Sequence, residues 1–122
     1  MAKILLAEDD DSMRSFLAKA LERAGHEVTA CADGEEGLVA LEKAGDDEFN
    51  LLLTDIVMPG LDGIELARRA AEIDPNLKIM FITGFAAVAL TAGASAPRDA
   101  KVLSKPFHLR QLVDEVNRVM AA

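Results

Sequence analysis

Four times in this chain a short apolar run stops abruptly on a polar or charged side chain. Ile4-Leu5-Leu6-Ala7 meets Glu8-Asp9-Asp10-Asp11, Leu51-Leu52-Leu53 meets Thr54-Asp55, Ile79-Met80-Phe81-Ile82 meets Thr83, and Val102-Leu103 meets Ser104-Lys105. Runs this short and continuously apolar suit strands buried on both faces, as in a parallel sheet covered by helices. The segments between them supply those helices. Met13, Phe16, Leu17, Ala20, Leu21 and Ala24 repeat at helical spacing before Gly25. Gly34 to Ala44 carries Leu38 and Leu41 inward and is closed by Gly45, and Asp62 to Ile73 keeps a helical period until Asp74-Pro75-Asn76. Leu109, Leu112, Val113, Val116 and Val119 mark a closing amphipathic helix.

Strands are expected at 3–8, 27–30, 49–54, 77–82 and 100–103, so strand and helix alternate through an α/β domain. Residues 84 to 100 are weakly patterned. Phe85 to Leu90 gives about two helical turns at most, and Thr91 to Pro97 is small and broken by proline. In an open parallel sheet, ligands lie beyond the carboxyl ends of the strands, where the winding reverses. Glu8, Asp9, Asp55, Thr83 and Lys105 all fall at such ends and are expected to converge.

A chain of 122 residues suits one domain, 1–122, with a single well-buried core. Aromatic residues are only 4% while half the chain is apolar, so that core is aliphatic. The net charge of −8 argues against nonspecific binding to nucleic acid or anionic membranes. No apolar run approaches the ~20 residues of a membrane span, and no signal-peptide pattern opens the chain. The lone Cys31 excludes an internal disulfide and fits a reducing cytosol, so a cytoplasmic monomer is expected.

The converging groups suit phosphoryl transfer. A carboxylate is ionised at neutral pH, so Asp55 needs no general base to attack phosphorus. It needs charge neutralisation, because two anions must approach one another. Mg2+ prefers carboxylate and carbonyl oxygens, and Glu8, Asp9, Asp55 and the backbone carbonyl of Val57 are its candidate ligands. Lys105 adds a second positive charge and the Thr83 hydroxyl a hydrogen bond. Gly84 leaves room for a donor, and Pro106 is placed to fix the strand exit.

These residues resemble the receiver domain of two-component response regulators. The resemblance is carried by Ile4 to Asp10, by Thr54-Asp55-Ile56-Val57-Met58-Pro59-Gly60-Leu61-Asp62-Gly63, by Ile82-Thr83-Gly84 and by Ser104-Lys105-Pro106-Phe107. It implies a flavodoxin-like, doubly wound (βα)5 fold with five parallel strands ordered 2-1-3-4-5 and five helices. It also implies that Asp55 is the phosphoacceptor, that Glu8 and Asp9 hold Mg2+, that Thr83 is the switch hydroxyl and that Lys105 binds phosphate. A histidine kinase or histidine phosphotransfer protein is then the donor. A protein target reads the signal, docking on the segment before the last strand, that strand and the closing helix, including Phe107 to Val116. The stretches Ala7 to Arg14 and Val102 to Arg110 are similar to those of single-domain receivers that regulate delivery of substrates to a Clp-type protease in the bacterial cell cycle.

Two departures stand out. Val102 occupies a position where many receivers carry an aromatic switch residue, and the region from Phe85 to Ala100 lacks the usual pattern, so its helix is expected to be short or mobile. Two other readings compete: a pseudo-receiver that binds partners regardless of phosphate, and an aspartyl-phosphate phosphatase. The phosphatase reading lacks an acid two residues after Asp55, where Val57 stands. Asp10 and Asp11 can be a solvated loop with Asp11 or Ser12 capping the first helix, His26 and His108 read as solvated turn residues, and Cys31 as a small buried strand residue. Val57 and Phe85 beside the site are expected to slow hydrolysis of an acyl phosphate by limiting ordered water.

Overall fold

The computed structural model describes residues 2–44, 48–83, 100–105 and 107–121. Its elements run β1 (Lys3–Ala7), α1 (Asp11–Arg23), β2 (Glu27–Cys31), α2 (Gly34–Ala44), β3 (Leu51–Asp55), α3 (Gly63–Ile73), β4 (Lys78–Thr83), β5 (Lys101–Ser104) and α4 (Leu109–Ala121). All strand pairs are parallel and the order is β2-β1-β3-β4-β5. This is the flavodoxin-like fold expected from the sequence, with four helices among the described residues. The expected short helix at 85–90, Gly84 and the strand exit at Pro106 lie outside those residues.

Side chains on successive strand residues point to opposite faces, so continuous apolar strands feed two cores at once. Leu5, Leu52, Ile79 and Phe81 pack toward Leu41 of α2 and Leu66, Ala67 and Ala70 of α3. Ile4, Leu6, Leu51, Leu53, Met80 and Ile82 pack on the other face, toward Leu17 and Leu21 of α1 and Leu112, Val116 and Val119 of α4. Burying each large aliphatic side chain contributes roughly 1.5–3 kcal/mol, so these two layers are the main source of rigidity beneath the strand ends.

The helix boundaries have local causes. Asp10, not Asp11 or Ser12, caps α1: its Oδ1 accepts the Met13 N–H at 2.8 Å. The cap falls one residue early because the strand ends at Ala7 and the chain needs only a short turn to enter the helix. Gly25 stops α1 with φ of +97°, a left-handed conformation that side chains disfavour. Asp33 accepts the Glu36 N–H at the start of α2, and Asp62 accepts the Glu65 N–H at the start of α3. The inward stripe expected on α1 is narrower than the periodicity suggests. Leu17, Ala20 and Leu21 are buried, while Ala24 and Phe16 are exposed, Phe16 by 52%.

His26 is not the solvated turn residue expected. Its Nδ1 accepts the Ala2 N–H at 3.0 Å, and its Nε2 lies 3.1 Å from Asn117 Oδ1. A backbone N–H can only donate, so Nδ1 is the acceptor and Nε2 carries the hydrogen toward Asn117. One imidazole thus ties the start of β1 to α4. Cys31 closes β2, is buried as expected, and has its thiol pushed up to about 11, chiefly by burial. It is therefore not a thiolate at neutral pH.

Gly63 allows the β3–α3 connection to fold back on itself. Its N–H donates to the Ile56 carbonyl at 2.8 Å, and a Cβ here would be driven into the carbonyl oxygen of Asp55. The obstacle is backbone and cannot move aside like a flexible side chain. Gly63→Ala should therefore destabilise the protein by about 3 kcal/mol, the upper end for overpacking, read as a lower urea midpoint at unchanged slope.

Candidate functional site

The sheet register determines which groups meet. Ala7 is opposite Thr54, so the residues that follow, Glu8 and Asp55, leave adjacent strands side by side. Because the order is 2-1-3, the chain winds in opposite directions from these two strands, and the crevice between their ends is the switch point. On the far side Thr83 pairs with Ser104, and the Lys105 N–H donates to the Thr83 carbonyl at 2.7 Å. That bond prolongs the ladder by one residue and aims Lys105 back across the strand ends.

Glu8 is 1% exposed. Its main-chain N–H donates to the Cys31 carbonyl at 3.1 Å, and its Oε2 accepts the Asp10 N–H at 3.1 Å. Its Oε1 has no hydrogen-bond partner, and Lys105 Nζ stands 3.6 Å away, within ion-pair range. Burial raises the Glu8 carboxyl from 4.5 to about 7; Asp55 and Asp9 push the same way, and the Asp10 N–H and Lys105 oppose it.

Asp55 Oδ1 accepts the Ile56 N–H at 2.8 Å, while Oδ2 faces Lys105 Nζ at 3.5 Å. The Thr54 hydroxyl donates to the Asp55 carbonyl at 2.8 Å, fixing the backbone from which the carboxylate projects. Carboxylate oxygens of Glu8, Asp9 and Asp55 all lie within 4.8 Å of one another. Three carboxylates against one ammonium leave the cluster short of positive charge, and an unpartnered buried oxygen is costly unless something compensates it. A hard divalent cation answers both needs.

The structure thus brings together Glu8, Asp9, Asp55 and Lys105, and places buried Thr83 on the strand between Asp55 and Lys105. Val57 follows Asp55 in the next turn and is 54% exposed. Phe85, paired with Val57 in the expectation of slow hydrolysis, lies outside the described residues. Val102 on β5 is 46% exposed and, being β-branched and short, has no large inward and outward rotamer states to exchange. His108 is exposed.

Two features escaped the sequence. Arg14 reaches back from α1, its Nη1 donating to the Glu8 carbonyl at 2.9 Å and its Nη2 to Asp11 Oδ1 at 2.6 Å. The available signal was its place one helical turn after the cap Asp10. The second is an open apolar groove of about 400 Å3 lined by Met13, Phe16, Lys105 and Phe107. The helical period groups Phe16 with the core residues, but in the structure it forms a wall of this groove.

Comparison with known proteins gives a consistent result. Residues 4–117 match the model of the response regulator receiver domain. The chain is 65% identical over 122 residues to the response regulator receiver protein CpdR of Brucella abortus, covering 100% of this chain and 99% of that one. It is 36% identical over 121 residues to sensor kinase CckA of the same organism, covering 98% of this chain but only 12% of that protein. The crystal structure of a response regulator receiver protein from Sinorhizobium medicae superposes with a TM-score of 0.89 at 34% identity, covering 99% of this chain and 95% of that one.

The raised Glu8 pKa makes a signed prediction for the metal-free protein. A carboxyl shifted from 4.5 to about 7 contributes stability that is fully present below 4.5 and is lost as pH rises through 7. Glu8→Gln should therefore match wild type near pH 4 and exceed it at pH 8. The gap should be about 3 kcal/mol, measured by urea unfolding in the presence of a chelator.

Proposed function

The chain belongs to the response regulator receiver family, and on that premise we propose that Asp55 accepts a phosphoryl group from a phosphohistidine donor. The observation that carries this reading is the meeting of Glu8, Asp9 and Asp55 opposite Lys105. Their fit to Mg2+ rests on the donor set, which is all hard oxygen, and on the orphaned Glu8 Oε1. Glu8, Asp9, Asp55 and the Val57 carbonyl would hold the ion. Its contribution is to neutralise charge between an anionic nucleophile and an anionic phosphoryl group.

The rest is done by the chain. With Oδ1 engaged by the Ile56 N–H, the Asp55 oxygen on the Lys105 side attacks phosphorus. A carboxyl–phosphoryl bond forms and the phosphorus–nitrogen bond to the donor imidazole breaks, the electron pair leaving with the imidazole. Lys105 pairs with the incoming phosphoryl oxygens, and the Thr83 hydroxyl donates to them. Phosphorylation takes Asp55 from a charge of −1 to roughly −2 and draws on groups at the ends of β4 and β5. Coupling of about 1–3 kcal/mol, the usual range, changes partner affinity some 5–150-fold.

A histidine kinase or phosphotransfer protein is the donor, and the groove of Met13, Phe16 and Phe107 beside Lys105 gives its helix an apolar seat. The similarity to CpdR supports a downstream protein target and a role in controlled delivery to a Clp-type protease. The reading carries with it a cytoplasmic location; no helix among the described residues is long and apolar enough to cross a membrane.

Intact mass after incubation with Mg2+ and acetyl phosphate, and separately with a phosphorylated histidine phosphotransfer protein, tests the reading. One phosphoryl adduct is expected on wild type and none on Asp55→Asn. An adduct that persists in Asp55→Asn, or none on wild type from either donor, overturns it.

A further inference from the structure

Arg14 is a paradox in a site built to hold a cation. It brings a permanent positive charge to the acidic turn, where simple electrostatics predicts that it competes with a divalent ion. Yet its side chain is only 21% exposed, and none of its hydrogen bonds among the described residues goes to the carboxylates of Glu8, Asp9 or Asp55. One arm of the guanidinium holds the main-chain carbonyl of Glu8 and the other holds Asp11 Oδ1. Its own N–H donates to the Asp10 carbonyl at 2.8 Å, and the Asp10 N–H donates to Glu8 Oε2. Residues 8 to 14 are thereby closed into a ring of hydrogen bonds around the peptide that joins Glu8 to Asp9.

We propose that Arg14 is a positioning residue whose guanidinium fork fixes the β1–α1 turn so that the Glu8 and Asp9 carboxylates aim at Asp55. This rests on the reading of those three acids as the Mg2+ site. The fixed element is the Glu8–Asp9 peptide plane, which sets the direction in which each acidic side chain departs. Lysine cannot replace the fork, because a single ammonium does not present two N–H groups at the spacing of a carbonyl and a carboxylate. Charge and geometry therefore make opposite predictions for the same substitution. Removing a repelling charge would tighten Mg2+ binding, whereas releasing the turn weakens it.

Calorimetric titration of MgCl2 into the metal-free full chain decides between them, for wild type, Arg14→Lys and Arg14→Met. Arg14→Met should bind Mg2+ about 10-fold more weakly, the low end for losing a group that orients a metal ligand. Arg14→Lys should lose several-fold although its charge is kept. Without metal, Arg14→Lys, which keeps the charge, should unfold at a urea midpoint close to wild type, so its weaker Mg2+ binding is not a loss of folding. Tighter binding in Arg14→Met, or an Arg14→Lys protein that binds like wild type, overturns the proposal. If Arg14→Met does not fold, Arg14→Lys carries the same test. Wild type that gives no Mg2+ signal rejects the metal site itself, whereas wild-type binding matched by both variants rejects only the role of Arg14.

Discussion

Glu8, Asp9 and Asp55 repel one another, and nothing in their own chemistry would bring their oxygens within 4.8 Å. The strands beneath them impose the arrangement. β1 and β3 are neighbours in register, each buried on both faces, so the residues that follow them have no freedom to separate. The free energy that holds the acids together comes from the leucines and isoleucines of the two cores, while the acids themselves oppose it. Glu8 shows the cost most directly, since a carboxyl pushed up to about 7 is one that the folded chain would rather keep protonated. On the reading proposed above, a cluster held in this way is preorganised, because the sheet and not the ligand pays for bringing the charges together.

α1 belongs to both halves of this arrangement. Leu17 and Leu21 on one side anchor it in the core, while Asp10 and Arg14 at its start hold the acidic turn. The same helix presents Phe16 beside Lys105 and Phe107. On the proposed reading, a partner pressing on that groove would touch the helix that starts at the acidic turn, so recognition and chemistry would share one rigid body.

Much of this was legible in the residues themselves. Continuous apolar runs ending in acid, hydroxyl or ammonium point to the parallel sheet and to the meeting of Glu8, Asp9, Asp55 and Lys105, because a strand's end is where the hydrophobic pattern stops and where the chain turns across the sheet's edge. What the pattern did not carry was side chain to backbone bonding. An arginine's type says that it will donate, not that its acceptor is the carbonyl six residues earlier. His26 is the same case: its partners Ala2 and Asn117 are far apart along the chain, and no periodicity links them. Phe16 fits the helical period of Leu17 and Leu21, but it lies past the edge of the sheet's cover, where period alone does not distinguish core from groove.

The His26 tie has a consequence for the chain's architecture. By joining Ala2 to Asn117 it brings the first strand and the last helix together at the end of the sheet opposite the acids. A five-residue parallel strand is roughly 16 Å long, so the His26 tie at Ala2 lies about a strand length from Glu8 at the other end of β1. The tie and the acids therefore sit at opposite ends of β1, so the bond that joins the first strand to the last helix does not crowd the acidic cluster.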